Sequence, residues 1–356
     1  MITVRARSIL RLLLLASLVA CIMALSPGVW AQTSGVLPLP DDPNVRILEQ
    51  LANPSDGRVD YAKVEAAIEH MVNPSFDDAA FEAELNRWAA IVRARVPEGA
   101  PTVQVMTALG EVIYMPGPWN DHHPFSYDLA DQSGLNVQTK LVSNYLHTRK
   151  GNCVSMSTLL VILGQKLGMG MTLTQAPQHE FVRLRDTNGR WINIEATSAG
   201  SAPDDTYIQD LHISPLAIRS GIYLRTTTPR ETVAAMISPL ESVYAHTRPP
   251  AYLLGLAELA ERLDPKNADG LVFEADAYFL ELGHRYLVHH LTPNMLPPAQ
   301  RSDFNALYNA NVQLINQVET MGWTPPTESG NAEHMQRAQH KPDTATDWSA
   351  IDYTGR

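Results

Sequence analysis

The sequence predicts an α+β protein in which a cysteine-bearing helix packs on a small antiparallel sheet, with helical regions on either side. Three observations predict it. A run of apolar residues at helical spacing begins just after Asn152. The period then switches to two between Met171 and Ala196, around a turn at Asp186-Thr187-Asn188-Gly189. Upstream of this stretch, and again from about Thr228, apolar residues recur every three or four positions.

The elements follow in order. Thr33 to Pro43 is rich in Pro and Gly and reads as a linker. Val45 to Leu51 is a short helix. Tyr61 to Val72 is a second, with Val64, Ala67, Ile68 and Met71 on one face. Asp77 to Val96 is a third, with Phe81, Leu85, Trp88, Ile91 and Val92 facing inward and acids in its first turn, where the helix dipole favours them. Val103 to Val112 reads as a fourth. Pro116 to Gly134 is irregular. Asn136 to Thr148 reads as one helix, stopped by Arg149-Lys150-Gly151-Asn152. The helix from Cys153 buries Met156, Leu159, Leu160, Ile162, Leu163 and Leu167 and ends at Gly168-Met169-Gly170. Strands are expected over Met171 to Gln175, Glu180 to Arg185 and Arg190 to Ala196. Thr228-Pro229-Arg230-Glu231 is a helix start with a cap, a first-position proline and an acid three residues after the cap. Ala251 to Leu263 and Ala268 to Leu282 then form an antiparallel pair across Leu263-Asp264-Pro265-Lys266-Asn267. Trp323 to Arg356 is polar and aperiodic, as in a disordered tail.

Composition excludes several functions. Apolar residues make up 45% of the 356 and charged residues 18%, a globular balance. The net charge is −11, from 27 basic and 38 acidic residues. Such a chain is a poor partner for nucleic acid or anionic lipid, which need a basic face. No phosphate loop, dinucleotide fingerprint or serine elbow is present.

The N-terminus has the form of an export signal. Arg5, Arg7 and Arg11 precede an apolar stretch from Leu12 to Leu25, and Val29-Trp30-Ala31 supplies small residues for cleavage before Gln32. The alternative is lipidation at Cys21, since Leu18-Val19-Ala20-Cys21 has the shape of a lipoprotein box. The apolar stretch is short for a membrane span. A periplasmic or secreted protein is expected, on a membrane only if Cys21 is lipidated. Removing the first 31 residues takes away three arginines and no acid, leaving 24 basic against 38 acidic residues and a charge of −14. It also leaves one cysteine, Cys153, which has no internal disulfide partner. A buried small hydrophobe and a reactive thiol are the two readings of it.

Three residues carry the expected chemistry: Cys153, His179 and Glu195. A thiol at a helix N-terminus meets unpaired amides and a dipole that favour thiolate, and those amides can also stabilise an oxyanion. His179, at the start of a hairpin strand, would pair with the thiolate and protonate a leaving group. Glu195, across the hairpin, would orient the imidazole, and Asn193 on the same strand face is the alternative orienter.

The segments Gly151-Asn152-Cys153-Val154-Ser155-Met156-Ser157, His179-Glu180-Phe181-Val182-Arg183 and Trp191-Ile192-Asn193-Ile194-Glu195-Ala196-Thr197 resemble the core of the transglutaminase-like superfamily, of papain-like cysteine fold. The resemblance spans about residues 136–200. It extends more loosely to a bacterial branch with a helical lead and tetratricopeptide-like helices behind the core. It implies Cys153 as nucleophile, His179 as base and the third position as orienter. That position is ordinarily Asp, and here Glu195 is one methylene longer. Leu263-Asp264-Pro265-Lys266-Asn267-Ala268 with Ala275 resembles one tetratricopeptide turn, although a free-standing array needs about three repeats.

The expected organisation is therefore a signal over 1–31, a linker over 32–44, a helical lead over 45–115, a transglutaminase-like core over 116–226, a helical tetratricopeptide-like region over 227–322 and a tail over 323–356. The expected function is thiol-dependent acyl transfer on peptide or protein amides, by hydrolysis or transamidation, with no cofactor. The alternative is a non-catalytic envelope scaffold whose C-terminal helices hold a protein partner. Asp121-His122-His123 and His284 with His289 and His290 lack the convergent spacing of a zinc site, so no metal is expected. Trp119 and Trp191 are read as core, or as walls of an acyl cleft.

Overall fold

A computed structural model describes residues 36–131 and 134–325. The expected signal lies outside the described residues, as does the expected tail from residue 326 on.

Four helices open the fold: α1 (Pro43–Ala52), α2 (Tyr61–Val72), α3 (Asp78–Arg93) and α4 (Thr102–Tyr114). The first three start on an aspartate. Asp42, Asp60 and Asp77 sit in extended backbone, and each side chain accepts a first-turn amide. Asp77 is thus a cap rather than the first helical residue. The end of the expected linker is pinned in place: Tyr244 donates to Asp42 (2.9 Å) and accepts from Asn44 (2.7 Å).

The stretch 136–148, expected as one helix, is two pieces. A single 3-10 turn covers Val137–Lys140, Leu141 is extended, and α5 runs over Val142–Thr148. The cause lies on α2. Glu69 accepts from the Ser143 amide and hydroxyl (both 2.7 Å), and Glu65 accepts from the Val142 amide (3.3 Å). These carboxyls cap α5 from another helix, at the residues where it starts.

Tyr127 and Gly151 pair in a two-residue parallel bridge between β1 (Ser126–Tyr127) and β2 (Lys150–Gly151). Helix α6 (Cys153–Lys166) follows at once and packs on a sheet of order β3-β4-β5, formed by Gly170–Ala176, His179–Arg185 and Trp191–Ile194. Both ladders are antiparallel, with Ala176 opposite His179 and Arg185 opposite Trp191. Gly164 lets α6 settle on the sheet, because a Cβ there would overlap the Met171 side chain. The expected third strand is shorter than read. It ends at Ile194, and Glu195 bridges back to Gly200 instead.

Two short helices unmarked in the sequence reading, α7 (Asp204–Asp210) and α8 (Pro215–Ser220), follow the sheet. Tyr207 of α7 stacks on Phe181 with ring centroids 4.2 Å apart. The next segment lies along the free edge of β3: Leu224 donates to the Gln175 carbonyl (3.0 Å) and Thr227 to that of Leu173 (2.7 Å). Such cover removes an open strand edge. Helix α9 (Pro229–Met236) begins with the expected reciprocal cap between Thr228 and Glu231. Then come α10 (Ser238–Thr247), α11 (Pro250–Leu263), α12 (Ala268–Arg285) and α13 (Pro298–Thr320). Among the described residues no helix is long and apolar enough to cross a membrane.

Candidate active site

Cys153 is the first residue of α6 and is partly exposed. Its position follows from Asn152, whose backbone is extended and whose side-chain oxygen accepts from the amides of Val154 (3.0 Å) and Ser155 (3.4 Å). Ser155 completes the cap. Its hydroxyl accepts from the Asn152 amide (3.2 Å) and donates to the Thr139 carbonyl (2.7 Å). Asn152 also donates to the Thr139 hydroxyl (3.2 Å), which donates in turn to Asp131 (2.7 Å). The loop before α5 therefore holds the helix start from which the thiol projects. This network revises the expected oxyanion donors. Two of the helix-start amides are taken by the Asn152 side chain.

His179 is the first residue of β4, directly after the tight Pro177-Gln178 hairpin turn, where Gln178 adopts a left-handed φ of 56°. It is 6% exposed. Its Nε2 lies 2.6 Å from Glu195 Oε2. The ring interacts electrostatically with Cys153. With Nε2 committed to Glu195, Nδ1 is the ring nitrogen left for proton exchange with the sulfur.

Glu195 is 9% exposed and fixed at both oxygens. Oε1 accepts from the amide (3.0 Å) and hydroxyl (2.6 Å) of Thr197, and Oε2 from the Tyr207 hydroxyl (3.0 Å). The extra methylene relative to Asp is accommodated by this loop, since Glu195 has already left the regular ladder. Asn193 is not at His179. It sits opposite Arg183, accepts from that guanidinium (3.0 Å), and donates to Asp204 (2.7 Å) and the Ala202 carbonyl (3.0 Å). Arg183 lies four residues along β4 from His179, and Glu195 stands beyond the end of the strand that carries Asn193.

Burial and charge oppose each other in this pair. Burial alone would push His179 down, but the Glu195 carboxylate it is bonded to and the neighbouring Cys153 carry it up to about 10. Burial would push Glu195 up, yet the imidazolium and the Thr197 donors bring it down to about 2. Both groups are therefore charged across the neutral range.

Other ionisable groups surround the thiol, and the sequence reading gave none of them a role in the site. Lys140, enclosed at the end of the 3-10 turn, donates to Ser242 of α10 (3.2 Å), and burial lowers it against the pull of Cys153, Asp131 and Asp269. Asp269, in the first turn of α12, accepts from Gln175 (3.3 Å). Glu180 is buried beside the site, and burial and the charge of Cys153 hold it well above the usual carboxylate range. No local motif marks these groups, because they converge from the 3-10 turn, the sheet and the C-terminal helices.

The candidate histidines elsewhere do not converge. The ring of His123 caps the carbonyl of Asp121, which pairs with Arg149 (3.3 Å). Among the described residues no group of three or more His, Cys, Asp or Glu side chains is set to hold a metal ion. Trp119 lies under the Arg95 guanidinium, and Trp191 is exposed at the end of β5 remote from Glu195.

Residues 79–238 match the model of the transglutaminase-like superfamily. A transglutaminase-like domain thus runs from the start of α3 to the first residue of α10 and contains Cys153, His179 and Glu195. No curated protein matches the chain.

Proposed function

We propose that the protein is a cysteine-dependent acyl-transfer enzyme acting on peptide or protein amides, on a papain-like catalytic core. One observation carries the reading: a thiol at a helix start interacts with a buried imidazole whose Nε2 is held 2.6 Å from a fully anchored carboxylate. In this reading the proton of the Cys153 thiol rests on His179, leaving thiolate. Sγ attacks the amide carbon, and its electron pair forms the C–S bond as the carbonyl π pair moves onto oxygen. Collapse of the tetrahedral intermediate breaks the C–N bond, and His179 gives its proton to the leaving amine. Water or a second amine then adds to the thioester, losing its proton to His179, and collapse of this second intermediate breaks the C–S bond and restores the thiolate beside protonated His179. Glu195 stays ionised throughout and holds the ring in place. The N-terminal sequence supports an exported setting, with a cell-envelope amide as substrate.

The test is the rate of Cys153 alkylation by iodoacetamide against pH, read by intact mass, beside His179→Ala. A free thiol titrates near ~8.5, and His-paired catalytic thiolates several units lower. Fast alkylation near pH 6 that disappears in His179→Ala supports the reading. A thiol that reacts only after denaturation, or identically in both proteins, removes it and favours the scaffold alternative.

A further inference from the structure

Acyl transfer makes a demand that the helix start only partly meets. The tetrahedral intermediate places a negative charge on the former carbonyl oxygen, and that charge needs preorganised donors. The Val154 and Ser155 amides, next in line after Cys153, are spent on the Asn152 side chain. A donor must come from another element.

One residue has the required placement. Tyr127 pairs with Gly151 in the parallel bridge, two residues before Cys153, and the bridge is closed by Asp128 N–H to the Gly151 carbonyl (2.7 Å) and Ser126 N–H to that of Arg149 (2.9 Å). Tyr127 is 9% exposed, yet its hydroxyl makes no hydrogen bond among the described residues and is not sealed from solvent. A buried tyrosine ordinarily finds a partner for its hydroxyl. A hydroxyl left open beside a nucleophile has its partner supplied from outside. We infer that the Tyr127 hydroxyl donates to the oxyanion formed when Cys153 attacks, completing a hole begun at the start of α6. The inference rests on the acyl-transfer reading above. Burial, and the negative charges of Cys153, Asp131, Asp128 and Glu195, raise Tyr127 above its ordinary value, so it stays protonated and able to donate.

Tyr127→Phe is a clean probe. The ring is kept, and a hydroxyl without a protein partner leaves nothing unsatisfied when removed. The assay is the pre-steady-state burst of nitrophenolate from p-nitrophenyl acetate, with Cys153→Ala as background. Iodoacetamide alkylation is run in parallel, because displacement at a saturated carbon forms no oxyanion. Tyr127→Phe is expected to slow the burst at least tenfold and toward about 100-fold. Burst amplitude, alkylation rate and melting temperature should stay as in the parent protein. A burst that is not slowed overturns the assignment. So does a burst that slows together with alkylation, since Tyr127 would then act on the thiolate. If the parent protein gives no burst above Cys153→Ala while its thiol still alkylates in a His179-dependent way, acyl transfer itself fails and the assignment falls with it.

Discussion

At the residue scale, the division of labour between Glu195 and Asn193 is sharp enough to test. Glu195→Gln keeps an acceptor for His179 Nε2 but removes the charge that raises the imidazole, so His179 should fall back toward ordinary histidine behaviour. The acylation burst should then drop near pH 7, while the protein still folds. Asn193→Ala should leave the burst intact and cost about 1 kcal/mol of stability, because its partners are Arg183 and Asp204. The reverse pattern would reassign the orienter. The pair also sets a pH window for stability. Glu195 is depressed to about 2, so its contribution is present above the unfolded carboxylate value and is lost as pH falls through about 2. His179 is raised to about 10, so its contribution is full below ~6.5 and lost as pH rises through about 10. The melting-temperature gap between the parent and His179→Ala should therefore close between pH 6.5 and 10. A constant gap would mean that His179 stabilises by packing alone.

At the element scale, legibility depended on where each cap comes from. The start of α6 was readable because its cap, Asn152, is the preceding residue, and α9 announced itself through Thr228, Pro229 and Glu231. The sheet was readable from alternation and the Asp186–Gly189 turn. The start of α5 was not, because its caps lie on α2, more than seventy residues away. Tyr127 was equally hidden, since a two-residue bridge leaves no periodicity in the sequence. The α5 cap has its own signature. Burial holds both carboxyls above their ordinary value, and for Glu65 the charge of Glu69 adds to it. The folded state thus keeps protons that the unfolded chain releases above ~4.5, and the pair's contribution to stability declines as pH rises beyond that. Glu65→Gln should flatten this decline while preserving the acceptor. Glu69→Ala should cost about 1–2 kcal/mol at pH 5, because the Ser143 amide loses its cap, and less at pH 8, where the raised carboxyl contributes less. Denaturant melts at pH 5 and pH 8 check both, and an unchanged slope in Glu65→Gln would place the excess protons elsewhere.

At the scale of the whole molecule, the C-terminal helices are part of the site's foundation. Sequence periodicity showed that they exist but not what they touch. Arg225, beside the covered edge of β3, pairs with Asp264 in the turn between α11 and α12, Lys140 reaches Ser242, and Gln175 reaches Asp269. The described residues from Leu37 on belong to one compact unit. A tie near its C-terminal end is at Gly322, which follows α13 with φ +97° and presses on α8, where Ser220 donates to the Met321 carbonyl (2.5 Å). A Cβ at 322 would overlap the backbone of Ala217, which cannot yield as a flexible side chain can. Gly322→Ala therefore combines a left-handed φ with a backbone clash and should cost about 2–4 kcal/mol. If the ties across the sheet make one cooperative fold, the loss will appear as a single transition at lower temperature, with helix content and protection of buried amides in α6 falling together. If α13 is an appended element, a low-temperature step will remove its helicity alone and leave Cys153 alkylation as it was. The contacts through Arg225, Lys140 and Gln175 favour the first outcome, because they bind the thiol's surroundings to the helices that a free α13 would unseat.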